Sequence, residues 1–81
     1  MYSHVVEAKH TEGHNVRVRF DDGVCGEIDL SGYLDGSIFE PLRDVDYFKK
    51  FSIEGYTLAW PNGADFAPEF LRERLRRRVS I

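Results

Sequence analysis

The chain has 81 residues and a net charge of −3, with 42% hydrophobic and 31% charged side chains. That is apolar material for one small core and not two, so residues 1–81 are read as a single domain. One cysteine excludes a disulfide scaffold, and the composition excludes a disordered or collagen-like chain. The N-terminal MYSHVVEAKH has no basic stretch leading into an apolar run, and no segment approaches the ~20 apolar residues of a spanning helix. The expectation is a cytoplasmic protein with no membrane contact. The charge is uneven. Residues 1–67 hold 6 basic and 12 acidic side chains, and residues 68–81 hold 5 arginines and 2 glutamates. An acidic body therefore ends in a basic segment.

The first thirty residues alternate apolar and polar with period two, the pattern of half-buried strands. Val16, Val18 and Phe20 share one face, as do Val24, Ile28 and Leu30. All are even-numbered, so residues facing each other must sum to an even number, which demands an odd loop. Asp21-Asp22-Gly23 supplies it, with Gly23 at the position that needs a positive φ. The same reasoning assigns Thr11-Glu12-Gly13 as the preceding loop, pairing His10 with His14, Ala8 with Val16 and Val6 with Val18. Glu7 then faces Arg17, which faces Glu27, and these opposite charges support the register. The prediction is a three-stranded antiparallel meander over residues 2–10, 14–20 and 24–30.

Ser31-Gly32 and Asp35-Gly36 break the pattern. Glu40-Pro41 starts a helical turn, and Asp44 is a cap for a second one carrying Val45 and Phe48, giving one or two short helices over residues 41–50. A second hairpin follows, with residues 51–53 and 56–60 around Glu54-Gly55. Pro61 ends that strand. Pro68 then opens a C-terminal helix with an apolar stripe of Leu71, Leu75 and Val79. The fold class is α+β: an antiparallel meander, a second hairpin, a short helical insertion and a C-terminal helix.

Candidate chemistry is sparse. His10 and His14 face each other in this register, but no third or fourth ligand stands at fixed spacing, so no metal site is assigned. Cys25 lies on the outer face opposite Arg19, without a histidine base, and reads as a surface or interface thiol. No phosphate loop, dinucleotide fingerprint, serine elbow or zincin motif is present, so no catalytic residue and no cofactor is assigned. In residues 60–69, WPNGADFAPE, Asn62, Gly63 and Asp65 offer backbone N–H groups and a carboxylate to a ligand or enzymatic substrate. The competing reading makes Asp65 a cap of the last helix, with Trp60 and Phe66 filling the core. Arg72, Arg74, Arg76, Arg77 and Arg78 border the apolar stripe on both sides. They suit a protein contact, a nucleic-acid contact, or a docked helix whose arginines merely favour its C-terminal end.

VRVRFDDGVCGEIDLSGYL, then IFEPLRD, Phe48 and LAWPNGADFAPEFL together resemble the bacterial domain-of-unknown-function family DUF2442, from Val5 to Leu71. WPNGADFAPEFL is the more specific part. The resemblance implies a small α+β domain. Some members carry an added helix-turn-helix, and many are encoded beside another small protein in an arrangement suggestive of toxin–antitoxin pairs. Ten residues follow Leu71 here, so the expectation is the stand-alone form without that extension. The resemblance brings no catalytic residue. The function expected is a non-enzymatic, antitoxin-like interaction module that binds a small protein encoded nearby through the sheet edge or the C-terminal helix, and a dimer is expected for a core this small with exposed strand edges.

Overall fold

A computed structural model describes residues 4–75. Strands β1 (Val5–His10), β2 (Asn15–Phe20) and β3 (Cys25–Asp29) form an antiparallel sheet in the order β1-β2-β3. Two 3₁₀ turns, Ser31–Tyr33 and Glu40–Arg43, lead to helix α1 (Val45–Phe48), the hairpin of β4 (Ser52–Glu54) and β5 (Thr57–Ala59), and helix α2 (Pro68–Glu73). The α+β class and the order of elements are those expected. Asp44 caps α1 as its sequence position suggests, its Oδ1 accepting the Asp46 N–H at 3.0 Å. Pro41 and Pro68 stand in the first turns of their helical segments, where a missing N–H costs nothing.

The β2–β3 register is as predicted. Val16 faces Ile28, Arg17 faces Glu27 and Arg19 faces Cys25. The Gly23 N–H returns to the Phe20 carbonyl at 3.0 Å, and Gly23 takes φ +90°. Val16, Phe20 and Ile28 are fully buried on the inner face.

The β1–β2 register differs. Glu7 faces Arg19, Ala8 faces Val18, Lys9 faces Arg17 and His10 faces Val16. The loop is Glu12-Gly13-His14, closed by the Thr11 N–H on the Asn15 carbonyl at 3.1 Å. A slip of two residues keeps parity, so the hydrophobic pattern could not exclude it. A bulge between Val5 and Glu7 then breaks parity. It turns Val5 into the core, 1% exposed, and Val6 out, 44% exposed, where the sequence pattern placed Val6 inside. The slip sets Lys9 opposite Arg17, a like-charge pair worth only tenths of a kcal/mol against the ~1.5–3 kcal/mol of burying a valine. Lys9→Glu should therefore raise stability by a few tenths of a kcal/mol, read as a higher urea midpoint.

The second hairpin is corrected in the same way. Ile53 faces Leu58 and Glu54 faces Thr57, so the loop is Gly55-Tyr56 instead of Glu54-Gly55. Both loop residues have positive φ, +61° and +67°, as a mirror-image hairpin turn requires. The register puts Leu58 wholly in the core and leaves Tyr56 61% exposed. The hairpin lies against β1, and the Val5 N–H donates to the Tyr56 carbonyl at 2.8 Å.

Trp60 closes the core. Its ring packs against Phe48 at 5.6 Å and Phe66 at 5.7 Å, and its Nε1–H donates to the Phe48 carbonyl at 2.9 Å. Leu71, fully buried, fixes α2 to this cluster, with Leu75 half-buried beside it. Val79 lies outside the described residues. Among the described residues no helix is long and apolar enough to cross a membrane.

Candidate functional site

The loop after β5 is built like the one after β2. The Gly63 N–H donates to the Trp60 carbonyl at 3.0 Å and the Trp60 N–H to the Ala64 carbonyl at 2.9 Å, with Gly63 at φ +91°. Asn62 Oδ1 accepts the Ala64 N–H at 3.1 Å, as Asp22 Oδ1 accepts the Val24 N–H at 3.2 Å. Both are three-residue hairpin loops, and Pro61 fits the second position of a type I turn. The return leg bridges Asp65 to Ala59. Asn62 also braces a distant segment, its Nδ2 donating to the Ile38 carbonyl at 2.8 Å. Trp60 and Asn62 are thus committed to the fold. Asp65 is exposed and does not cap α2; that position falls to Ala67, with no side-chain bond.

The two described arginines of the basic end pack onto the body. Arg72 makes a two-pronged contact with Asp22, at 3.2 and 2.9 Å, and lies over the Phe20 ring at 5.1 Å. Arg74 lies over the Phe70 ring at 3.9 Å and the Tyr33 ring at 5.3 Å. Its guanidinium covers aromatic surface, as arginine guanidinium planes do. Arg76, Arg77 and Arg78 lie outside the described residues.

The Arg72 hydrogen bonds hold the Asp22 carboxyl below its ordinary value of 3.8. A depressed carboxylate pKa means stability that is present above the ordinary value and lost as pH falls through the native one. Arg72→Gln should therefore lower the unfolding temperature near neutrality. The difference from the parent protein should shrink as pH falls below about 3.8, measured by thermal scans from pH 7 to pH 2.

His10 and His14 do not face each other. His10 Nε2 donates to the Gly13 carbonyl at 2.8 Å. His14 sits in the loop, donates from Nε2 to the Leu42 carbonyl at 2.8 Å, and meets the Phe48 ring edge-on at 4.8 Å. Among the described residues no cluster of three or more His, Cys, Asp or Glu could hold a metal ion. Cys25 is opposite Arg19 as expected, but it is only 9% exposed and not a surface thiol. It lines a cavity with Arg17, Arg19 and Lys9, a short side chain among long ones.

Three exposed apolar side chains were not singled out from sequence. β1 packs against the β4–β5 hairpin, and on these elements Val6, Ile53 and Tyr56 are 44%, 38% and 61% exposed. Local departures from regular geometry accompany two of them: the bulge that expels Val6, and the positive φ of Tyr56. A non-glycine residue in that region costs about 1–2 kcal/mol. Tyr56 stacks on the His4 imidazole, with centroids 4.2 Å apart and planes 15° from parallel. His4 is held in turn by Asp21, its Nδ1 3.6 Å from Oδ2. Bulges and strained residues recur where a fold presents side chains to a partner. The signal available in the sequence was Val5-Val6, two adjacent apolar residues in a strand that otherwise alternates.

The family model described as "Protein of unknown function (DUF2442)" matches residues 5–77. The chain belongs to the DUF2442 family. No curated protein and no solved structure gives a significant match. In this DUF2442 chain FDDGV and WPNGA, which lie within the segments that carry the resemblance, are three-residue hairpin loops with their flanking core residues. Phe20, Trp60, Ala64 and Phe66 are all buried. These DUF2442 segments therefore form a folding framework in this chain, and Tyr56 is tied to the first of them through His4 and Asp21.

Proposed function

We propose that this DUF2442 domain is a non-enzymatic interaction module, the antidote-like half of a two-protein pair. It binds a small protein partner through the surface of Val6, Ile53 and Tyr56. The observation that carries the reading is that β1 and the β4–β5 hairpin lying against it expose three apolar side chains, Val6 beside a β-bulge and Tyr56 at a positive φ among them. The bulge buries Val5 at the expense of exposing Val6, and exposed apolar side chains are what a protein interface uses. The engagement of Arg72 by Asp22 and of Arg74 by two aromatic rings supports this reading over a nucleic-acid contact through those residues. The commitment of Trp60 and Asn62 to internal bonds supports it over a ligand site in the loop of residues 60–69.

The test is co-expression with the product of the adjacent gene, one partner tagged, followed by purification and light scattering. Co-elution at a fixed ratio is expected, together with relief of any growth arrest that the partner causes alone. A partner that neither co-elutes nor is neutralised would overturn the proposal. A homodimer that persists when the partner is absent and excludes it when present would assign the same surface to a second copy of this chain.

A further inference from the structure

The outer face of the three-stranded sheet holds a charge arrangement that the fold does not need. Arg17 and Arg19 alternate with the buried Val16, Val18 and Phe20, so they face away from the core. Lys9 is the direct cross-strand partner of Arg17. Two cations in that relation repel one another. Glu27, which the register places opposite Arg17 on the other side, takes the Thr11 hydroxyl at 2.9 Å. Glu7 is taken by Arg19, whose Nε lies 3.0 Å from Oε1. Neither Lys9 nor Arg17 has an ion-pair partner among the described residues.

These side chains surround one half-open cavity of about 610 Å³, lined by Glu7, Lys9, Arg17, Arg19 and Cys25 over the backbone of β1 and β2. Its size is in the range of small-ligand sites. Three cations stand there against one carboxylate, on a molecule whose net charge is −3. We infer that this cavity binds the dianionic phosphate group of a small phosphate monoester. A monoester carries about −1.5 to −2 charges near neutral pH and so draws more from these cations than a carboxylate or a phosphodiester group, which brings one. The planar fork of Arg17 offers paired N–H donors to two phosphate oxygens, and Lys9 supplies a compact charge opposite it. The small Cys25 side chain, opposite Arg19 on β3, leaves room beside the arginines. The site is separate from the Val6–Ile53–Tyr56 surface, so its fate does not depend on the partner proposal.

The experiment is a titration of the full chain with inorganic phosphate at fixed ionic strength, followed by amide NMR and calorimetry. Saturable binding is expected, with shifts concentrated at Lys9, Arg17, Arg19 and Cys25. Arg17→Gln should weaken it about tenfold or more, as loss of a charge-assisted hydrogen bond does, and Lys9→Gln several-fold. Arg43→Gln, an exposed cation outside the cavity, should leave it unchanged. Arg17→Gln should unfold close to the parent chain, because it removes the repulsion from Lys9 and the attraction to Glu27 together; a large loss of stability would overturn the claim that Arg17 has no ion-pair partner. The inference also fails if phosphate does not saturate, or if the shifts fall elsewhere. Equally tight binding of acetate, or tighter Arg17-dependent binding of a short DNA duplex, would overturn it as well.

Discussion

Replacing Trp60 by alanine should cost about 3–5 kcal/mol, the range for deleting a large buried aromatic side chain. A domain of this length has a total stability of only about 4–12 kcal/mol, so the variant should be largely unfolded at 37 °C or close to it. Trp60→Phe separates two contributions. It keeps most of the aromatic volume between Phe48 and Phe66 but removes the Nε1–H that satisfies the Phe48 carbonyl. A buried carbonyl left without its donor costs about 1–3 kcal/mol. The urea midpoint, followed by circular dichroism because the variants lose their only tryptophan, should fall in the order parent, Trp60→Phe, Trp60→Ala. If Trp60→Ala stays within 1 kcal/mol of the parent chain, Trp60 does not hold the two halves of the core together.

Trp60 also shows where sequence reasoning stops. Its burial was expected from its place among apolar residues. That the following Pro-Asn-Gly makes the same loop as Asp-Asp-Gly was not, because Pro61 reads as the end of a strand and the return leg makes only one bridge, Ala59 to Asp65. The meander was legible because inner-face residues alternate cleanly on β2 and β3, and parity admits few loops. The first hairpin was misplaced by two residues because parity is blind to even slips. The pairing of Glu7 with Arg17, which supports the expected register, is a weaker force than the burial of Val5. That slip is what brings Lys9 beside Arg17. A bulge inverts side chains over one residue, and no periodicity announces it, so the exposure of Val6 could only come from the structure. The candidate sites followed from these misses. The arginines were visible as composition, but their engagement by Asp22, Phe70 and Tyr33 depends on tertiary contacts between residues far apart in the chain.

The second large effect concerns the partner surface. A protein interface concentrates its energy in a few apolar and aromatic anchors, each worth about 2 kcal/mol or more when truncated, equivalent to roughly 30-fold in affinity. Ile53→Ser and Val6→Ser should each weaken binding of the partner by about tenfold or more, and together by roughly 100-fold or more. Their effect on folding should be small, because both side chains already stand partly in water and neither belongs to the buried cluster. Tyr56→Asn adds a third arm. Asparagine tolerates the positive φ of this position better than tyrosine does, so the turn survives while the ring and its stacking on His4 are lost. Binding should weaken with the fold unchanged by circular dichroism. Full retention of affinity in the Val6→Ser/Ile53→Ser double variant would move the partner surface elsewhere. Loss of affinity together with loss of the folded signal would show that these residues serve the hairpin packing instead, since a binding anchor must be removable from a protein that still folds.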